Sequence, residues 1–343
     1  MKHTLVKITL WILTLSLLTG MLTACGDGGT PSSSSSASVV EDKGPIPVVL
    51  DTYPGIDDSF AMALAASSDK LDLKAVTAVQ GNVPLALTSK NSLALAGYLG
   101  LACPVAKGAE TPLKKKAATA ENYHGASGLG NAKLPDPTAS LDARPAWDVI
   151  YDCAKENSGR LVIVAVGPLT NIATTIQKHP DIKKMVKKIV IMGGSATAGN
   201  ATEYAEFNIY NDPDAAKIVF DSGIPMAMMG LDGTNDADYT VSELLDMYTD
   251  KSAVYDLFKG ITDYLYKSGR SRMTLYDFVA VSWLIDPSVE ATYQAEVAVT
   301  TDGAQAGKTT VTKKSGGHVT VAETLNKDEL TKVLKEMFRH YEK

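Results

Sequence analysis

Between Leu50 and Ser59 the chain reads Asp51-Thr52-Tyr53-Pro54-Gly55-Ile56-Asp57-Asp58. Asp57 alone suits a helix cap, but three carboxylates around a Pro-Gly turn exceed what capping requires. Carboxylates held this densely raise one another's pKa and call for a cation or a hydroxylic ligand among them. More polar clusters follow at Gly81-Asn82-Val83, His124-Gly125, Gly167-Pro168-Leu169-Thr170-Asn171, Met192-Gly193-Gly194, Gly199-Asn200, Ala205-Glu206-Phe207-Asn208 and Tyr276-Asp277. Taken singly, each has a plainer role. Asn82 after a glycine suits a turn, Asn200 a loop, and Asp277 a helix start. Glu206 and Asn208, alternating with Phe207, suit an extended segment facing solvent, and Tyr276 suits core packing.

The elements that must position these clusters alternate along the chain. Ile46 to Leu50 reads as a buried strand running into Asp51, with a helix from Asp57 to about Ala66. Leu73 to Val79 is the next strand, followed by a helical pattern from Leu85 to Leu99. Leu161 to Val166 precedes a helix from Leu169, and Ile189 to Met192 runs into Gly193-Gly194. Asp212-Pro213 opens a further helix that Ser222-Gly223 ends, and Pro225 to Met229 is another strand. This order predicts an α/β fold, an open and mainly parallel sheet with helices on both faces. The tail breaks the pattern. Short β runs at Glu296–Val299, 308–312 and Val319–Val321 predict a small antiparallel appendage before a terminal helix over 327–340. In open parallel sheets ligands bind at the carboxyl ends of the strands, and Asp51–Asp58, Gly81-Asn82, Gly167–Asn171 and Met192–Asn208 all fall there.

These blocks, in this order, resemble those of inosine–uridine-type nucleoside hydrolases over roughly Ile46 to Pro287. The resemblance implies hydrolysis of a ribonucleoside's N-glycosidic bond to free base and ribose at a Ca²⁺ site. It implies that Asp58, Asp277 and the Thr170 carbonyl hold the ion. Asp57, Asn82, Asn200, Glu206 and Asn208 would grip the ribose, in the block that also contains Met192, with His124 near the base. An oxocarbenium-like sugar needs anionic and polar groups beneath it, and a hard cation suits hydroxyl and carboxylate oxygens.

Two positions depart from the family pattern. Tyr53 stands where the family carries an aspartate that binds Ca²⁺ and takes the proton from the attacking water. A phenol, with a reference pKa of about 10, is a neutral donor at pH 7. Tyr276 stands where inosine–uridine-preferring members place a histidine acid, while purine-preferring relatives carry an aromatic residue that stacks on the base. Two readings follow. One is a working hydrolase in which Asp51 or Asp57 takes the base role, or the cation-bound water ionises unaided. The other is an inactive surface receptor that binds a nucleoside or another ribosyl ligand.

The ends and the composition bear on location. Lys2 and Lys7 precede an apolar run from Ile8 to Leu22, too short for a membrane span, which closes on Leu22-Thr23-Ala24-Cys25. That ending resembles a bacterial lipobox, which implies an exported chain, lipid-anchored at Cys25 to the outside of a membrane. The predicted organisation is a signal over 1–24, a Ser/Gly-rich tether over 25–44 and a hydrolase-like domain over 45–343. The formal charge is −6 for the whole chain and about −8 without Lys2 and Lys7, which argues against a nucleic-acid partner. Self-association and pairing of Cys103 with Cys153 stay open at this level.

Overall fold

The computed structural model describes residues 44–130 and 132–342. The expected signal, Cys25 and nearly all of the tether lie outside the described residues. Strands β1 (Ile46–Thr52), β2 (Leu71–Ala78), β3 (Val105–Lys107), β4 (Leu161–Ala165), β5 (Val186–Met192) and β6 (Met226–Met229) form the parallel part of the main sheet. A short antiparallel pair, β7 (Asp238–Thr240) and β8 (Arg272–Thr274), stands apart from it. The tail adds β9 (Glu290–Val299), β10 (Thr309–Lys313) and β11 (Val319–Leu325), giving nine strands in the order β10-β9-β11-β6-β5-β4-β1-β2-β3. The C-terminal antiparallel strands are thus present, and they continue the main sheet: β11 pairs parallel with β6 and antiparallel with β9.

The strands read as unbroken apolar runs because both faces are covered. Val48, Leu50, Val162, Val164, Val190 and Met192 enter one core. Their neighbours Val49, Ile163, Ala165, Ile189 and Ile191 enter the other, as the two-residue period of a strand requires. Helices Asp58–Ser67, Leu85–Tyr98, Tyr255–Lys267, Tyr276–Ile285 and Lys327–His340 cover the first face. Helices Ala146–Glu156, Thr170–Lys178 and Pro213–Phe220 cover the second. The helix Tyr276–Ile285 is buried from Asp277 to Trp283, so its first-turn carboxylate is carried into the interior. No described helix is long and apolar enough to cross a membrane.

Candidate active site

Strand β1 delivers Asp51 and Thr52 to the carboxyl edge of the sheet, and the turn that follows folds back on Asp58. The Asp58 carboxylate accepts from Thr52 Oγ1 at 2.6 Å, from the N–H of Gly55 at 2.8 Å and of Tyr53 at 3.2 Å, and from Asn82 Nδ2 at 3.0 Å. These bonds fix the carboxylate and shape the turn around it. Asn82 Nδ2 also reaches the carbonyl of Tyr53 at 3.2 Å, tying the loop after β2 to the loop after β1.

Asp57, Asp58 and Asp277 converge, each offering a carboxylate oxygen within 4.8 Å of the others. All three are buried, and both oxygens of Asp277 and Oδ1 of Asp57 lack a hydrogen-bond partner. Burial first, then mutual repulsion, pushes Asp57 and Asp277 well above the carboxylate range; burial also raises Asp58. Three anionic groups, two of them with idle oxygens, fit a hard divalent cation, which takes several oxygen ligands and cancels the repulsion.

A cavity of about 300 Å³ opens beside this cluster, lined by Tyr53, Asp57, Asn82, Ala120, Tyr123, His124, Met192, Asn200, Glu206, Phe207, Tyr276 and Asp277. Its volume suits a small polar molecule. Glu206 caps the short helix Phe207–Asn211, accepting from the N–H groups of Asn208 (2.8 Å), Gly194 (3.0 Å) and Ile209 (3.1 Å). Burial nonetheless pushes its carboxyl up to about 7. Asn200, exposed at the rim, accepts the Phe207 N–H at 2.9 Å.

Tyr53 is 7% exposed, and its ring lies over two glycines. A Cβ at Gly81 would stand 2.3 Å from Tyr53 Cδ2, so that position must be glycine for the ring to lie there, and one at Gly167 would be tight at 3.0 Å from Cδ1. Burial raises its phenol further above 10, reinforced by the charges of Asp277, Asp58, Asp57 and Glu206. It is a neutral donor among acceptors.

His124 accepts the Ile56 N–H through Nδ1 at 3.1 Å, so its ring proton sits on Nε2. Burial, aided by the positive charge of Arg270, pushes it down to about 3. It is therefore a neutral imidazole, and its 3.8 Å approach to Asp57 is no ion pair at pH 7.

Besides Asp58, which sits beneath it, three expected residues stand off the cavity wall. Asp51 is fully buried, with Oδ1 accepting from Thr77 Oγ1 (2.5 Å) and Asn171 Nδ2 (2.7 Å), and burial pushes it up to about 7. Its Oδ1 braces β1 against β2 and the helix Thr170–Lys178, its Oδ2 has no partner among the described residues, and of the two candidate bases only Asp57 lines the cavity. Thr170 opens that helix with its carbonyl accepting the Thr174 hydroxyl at 2.7 Å and its own hydroxyl donating to Asp212 Oδ2 at 2.8 Å. The hydroxyl is committed to Asp212, whereas the carbonyl keeps a second lone pair beyond its bond to Thr174. Asn208 donates to the carbonyls of Val166 (2.9 Å) and Met192 (3.0 Å), so it supports the wall from behind. Conversely, Tyr123, Ala120 and Phe207 line the cavity without having been singled out, although each adjoins a motif residue or lies a few positions from one.

The family profile described as inosine-uridine preferring nucleoside hydrolase matches residues 48–332. Over 276 residues the chain is 38% identical to the non-specific ribonucleoside hydrolase RihC of Escherichia coli (strain SMS-3-5 / SECEC), covering 79% of this chain and 89% of that protein. Among solved structures, it superposes on the plant nucleoside hydrolase PpNRh1 with a TM-score of 0.78 and 31% identity, covering 86% of this chain and 99% of that one. It superposes on the purine-preferring ribonucleoside hydrolase from Gardnerella vaginalis with a TM-score of 0.79 and 29% identity, again over 86% and 99%. The profile match, the shared fold and the carboxylates gathered at the ends of the parallel strands lead to one assignment: the chain belongs to the inosine-uridine preferring nucleoside hydrolase family.

Proposed function

We propose that this chain hydrolyses the N-glycosidic bond of ribonucleosides to free base and ribose, with Tyr53 slowing the reaction. The observation that carries the reading is the trio Asp57, Asp58 and Asp277, of which Asp57 and Asp277 bring idle oxygens to the wall of a cavity of nucleoside size. In this reading Asp58, Asp277 and the Thr170 carbonyl would hold Ca²⁺, which would supply a fixed positive charge for orienting hydroxyl oxygens. Asp57, Asn82, Asn200 and Glu206 take the ribose hydroxyls, and Met192 packs beneath the sugar. Tyr276 and His124 Nε2–H face the base as donors. As the C1′–N bond breaks, its electron pair leaves with the base nitrogen, and water oxygen bonds to C1′. Asp57 accepts the proton from that water, because Tyr53 presents a hydroxyl where a basic carboxylate would serve better. The base nitrogen regains a proton from a donor on its own side or from solvent.

The second reading, a receptor that binds a nucleoside or other ribosyl compound unchanged, draws support from Tyr53 alone: a buried phenol raised above 10 neither ligates a cation strongly nor takes a proton. In both readings residues 1–24 export the chain, Cys25 anchors it by lipid to the outside of a bacterial membrane, and 25–44 tether the domain over 45–343. A product assay on a panel of ribonucleosides and their 2′-deoxy counterparts, with Ca²⁺ and with a chelator, tests the proposal. Base release from the ribonucleosides that stops on chelation supports hydrolysis. Binding without release moves the assignment to the receptor. Equal affinity for ribo and deoxyribo ligands, or none for either, rules out the sugar pocket.

A further inference from the structure

Arg270 lies in the turn between helix Tyr255–Lys267 and β8. Its N–H donates to the Leu265 carbonyl at 2.9 Å and its Nε to Ser268 Oγ at 3.0 Å. Its guanidinium carbon stands 4.6 Å from the ring centroid of Tyr123 and 5.1 Å from that of Tyr264. Both Nη atoms are buried and have no hydrogen-bond partner among the described residues. Arginine carries five N–H donors, so most of this one's donors are idle. A buried charge without an acceptor is costly, and two cation–π contacts offset only part of that cost.

The arrangement gains meaning from what the stack touches. Tyr123 lines the cavity beside His124. A Cβ at Gly130 would stand 2.9 Å from the Tyr264 ring and one at Gly125 3.3 Å, so Tyr264 packs on the same loop. The guanidinium is therefore the middle layer joining the His124 loop to helix Tyr255–Lys267. Asp57, Asp58, Asp277 and Glu206 form the site's acidic side, and Arg270 forms an ion pair with none of them among the described residues. Negative charge thus lies on one side of the cavity, and an unneutralised positive charge lies behind Tyr123. Glycosidic cleavage separates charge in that sense: the sugar becomes cationic and the base departs with the electron pair.

We propose that Arg270 is a positioning residue for the departing base: it pins Tyr123 at the cavity wall and sets behind it the positive charge toward which the base leaves. The inference rests on the ribonucleoside reading of the site. The test compares the full chain with Arg270→Met, which keeps length without charge, and Arg270→Lys, which keeps charge without the planar fork. Calcium is present throughout. Rates are measured on inosine and on a series of aryl β-ribofuranosides, p-nitrophenyl among them, whose leaving groups differ in acidity. Arg270→Met should lose about tenfold or more in kcat on poor leaving groups, with little change in KM and little loss on p-nitrophenolate, steepening the leaving-group dependence. Arg270→Lys should recover most of the rate. Equal losses across the series, or none, overturn the proposal. If the unaltered protein cleaves nothing, the hydrolytic reading fails by itself, and Arg270 is judged by calorimetry. A loss of at least about fivefold in inosine affinity with ribose affinity unchanged then supports positioning; parallel loss, or no loss, overturns it.

Discussion

Replacing Tyr53 by Asp tests the chemistry of the site most directly. The substitution removes a ring packed on Gly81 and Gly167, and truncations of buried aromatics commonly cost about 3–5 kcal/mol. It also introduces a fourth carboxylate beside three whose ligand atoms already lie within 4.8 Å of one another. At that separation, two unit charges repel by about 3 kcal/mol with an effective dielectric of about 20. Without a divalent ion, Tyr53→Asp should therefore melt well below the unaltered chain. With Ca²⁺ the repulsion is cancelled and much of the loss is recovered, because a further anionic ligand faces the ion and the bulky ring is gone. A hundredfold gain in affinity corresponds to about 2.7 kcal/mol of additional stabilisation at saturating ion. The new carboxylate also accepts the water's proton, and general-base catalysis is commonly worth about 10²–10⁴-fold, so base release should rise at least about a hundredfold. The assays are chromatographic detection of base and thermal melting, each with Ca²⁺ and with chelator. Brisk hydrolysis by the unaltered protein, with neither rate nor Ca²⁺-dependent stabilisation improved in Tyr53→Asp, would refute the reasoning and make Asp57 the next position to substitute.

Asp277→Asn removes one charge from the cluster, so the ion-free protein should melt higher while Ca²⁺-dependent stabilisation disappears; retained calcium binding by calorimetry would contradict the role given to Asp277. His124 has its pKa pushed down to about 3, so the unfolded chain takes up its proton first as pH falls. This stability is fully present above about 6.5 and declines toward pH 3, and His124→Gln should flatten that decline in denaturant titrations. Glu290 is buried, and burial, aided by the charge of Asp236 and opposed by the Thr324 backbone, raises it to about 8. The folded state therefore holds that proton more tightly than the unfolded one. Its contribution is complete below about 4.5 and is lost as pH rises through 8, so Glu290→Gln should be more stable than the unaltered chain at pH 8 by at least about 1.4 kcal/mol, one pKa unit's worth. Cys25→Ser should release the protein from the membrane fraction; an unaltered chain already soluble and cleaved elsewhere would contradict the anchor.

The sheet was legible because each strand is a short run of branched residues between turn-forming ones, and because strand and helix alternate. The terminal helix matches its predicted bounds over 327–340, where a strong amphipathic period leaves little choice. The place of the tail was not legible. Nothing local to Val319–Leu325 says that it pairs with β6, a strand nearly a hundred positions earlier. At the site, the density of carboxylates over Asp51–Asp58 was legible and the resemblance added Asp277, but not which polar groups would spend an atom on bracing. Asp51 and Asn208 carry the same chemistry as their neighbours, and only the hydrogen bonds to Thr77, Asn171, Val166 and Met192 set them apart. Arg270 escaped notice because its partners are two ring faces, and face contacts leave no motif.

The two rims of the nine-stranded sheet have a bearing on life in a crowd. One rim, β3, is three residues long and carries Lys107 exposed at its end. The other, β10, presents Lys313, whose ammonium pairs with Glu323, and is followed by Lys314, paired with Glu296 at 2.9 Å. A short rim gives a neighbouring chain too few N–H and C=O groups to zip onto, and a lysine-lined rim makes the same approach electrostatically unfavourable. A long bare strand at either rim would invite copies to stack edge to edge into fibres. With both rims blunted, concentrated copies can stay separate and each keep its cavity open.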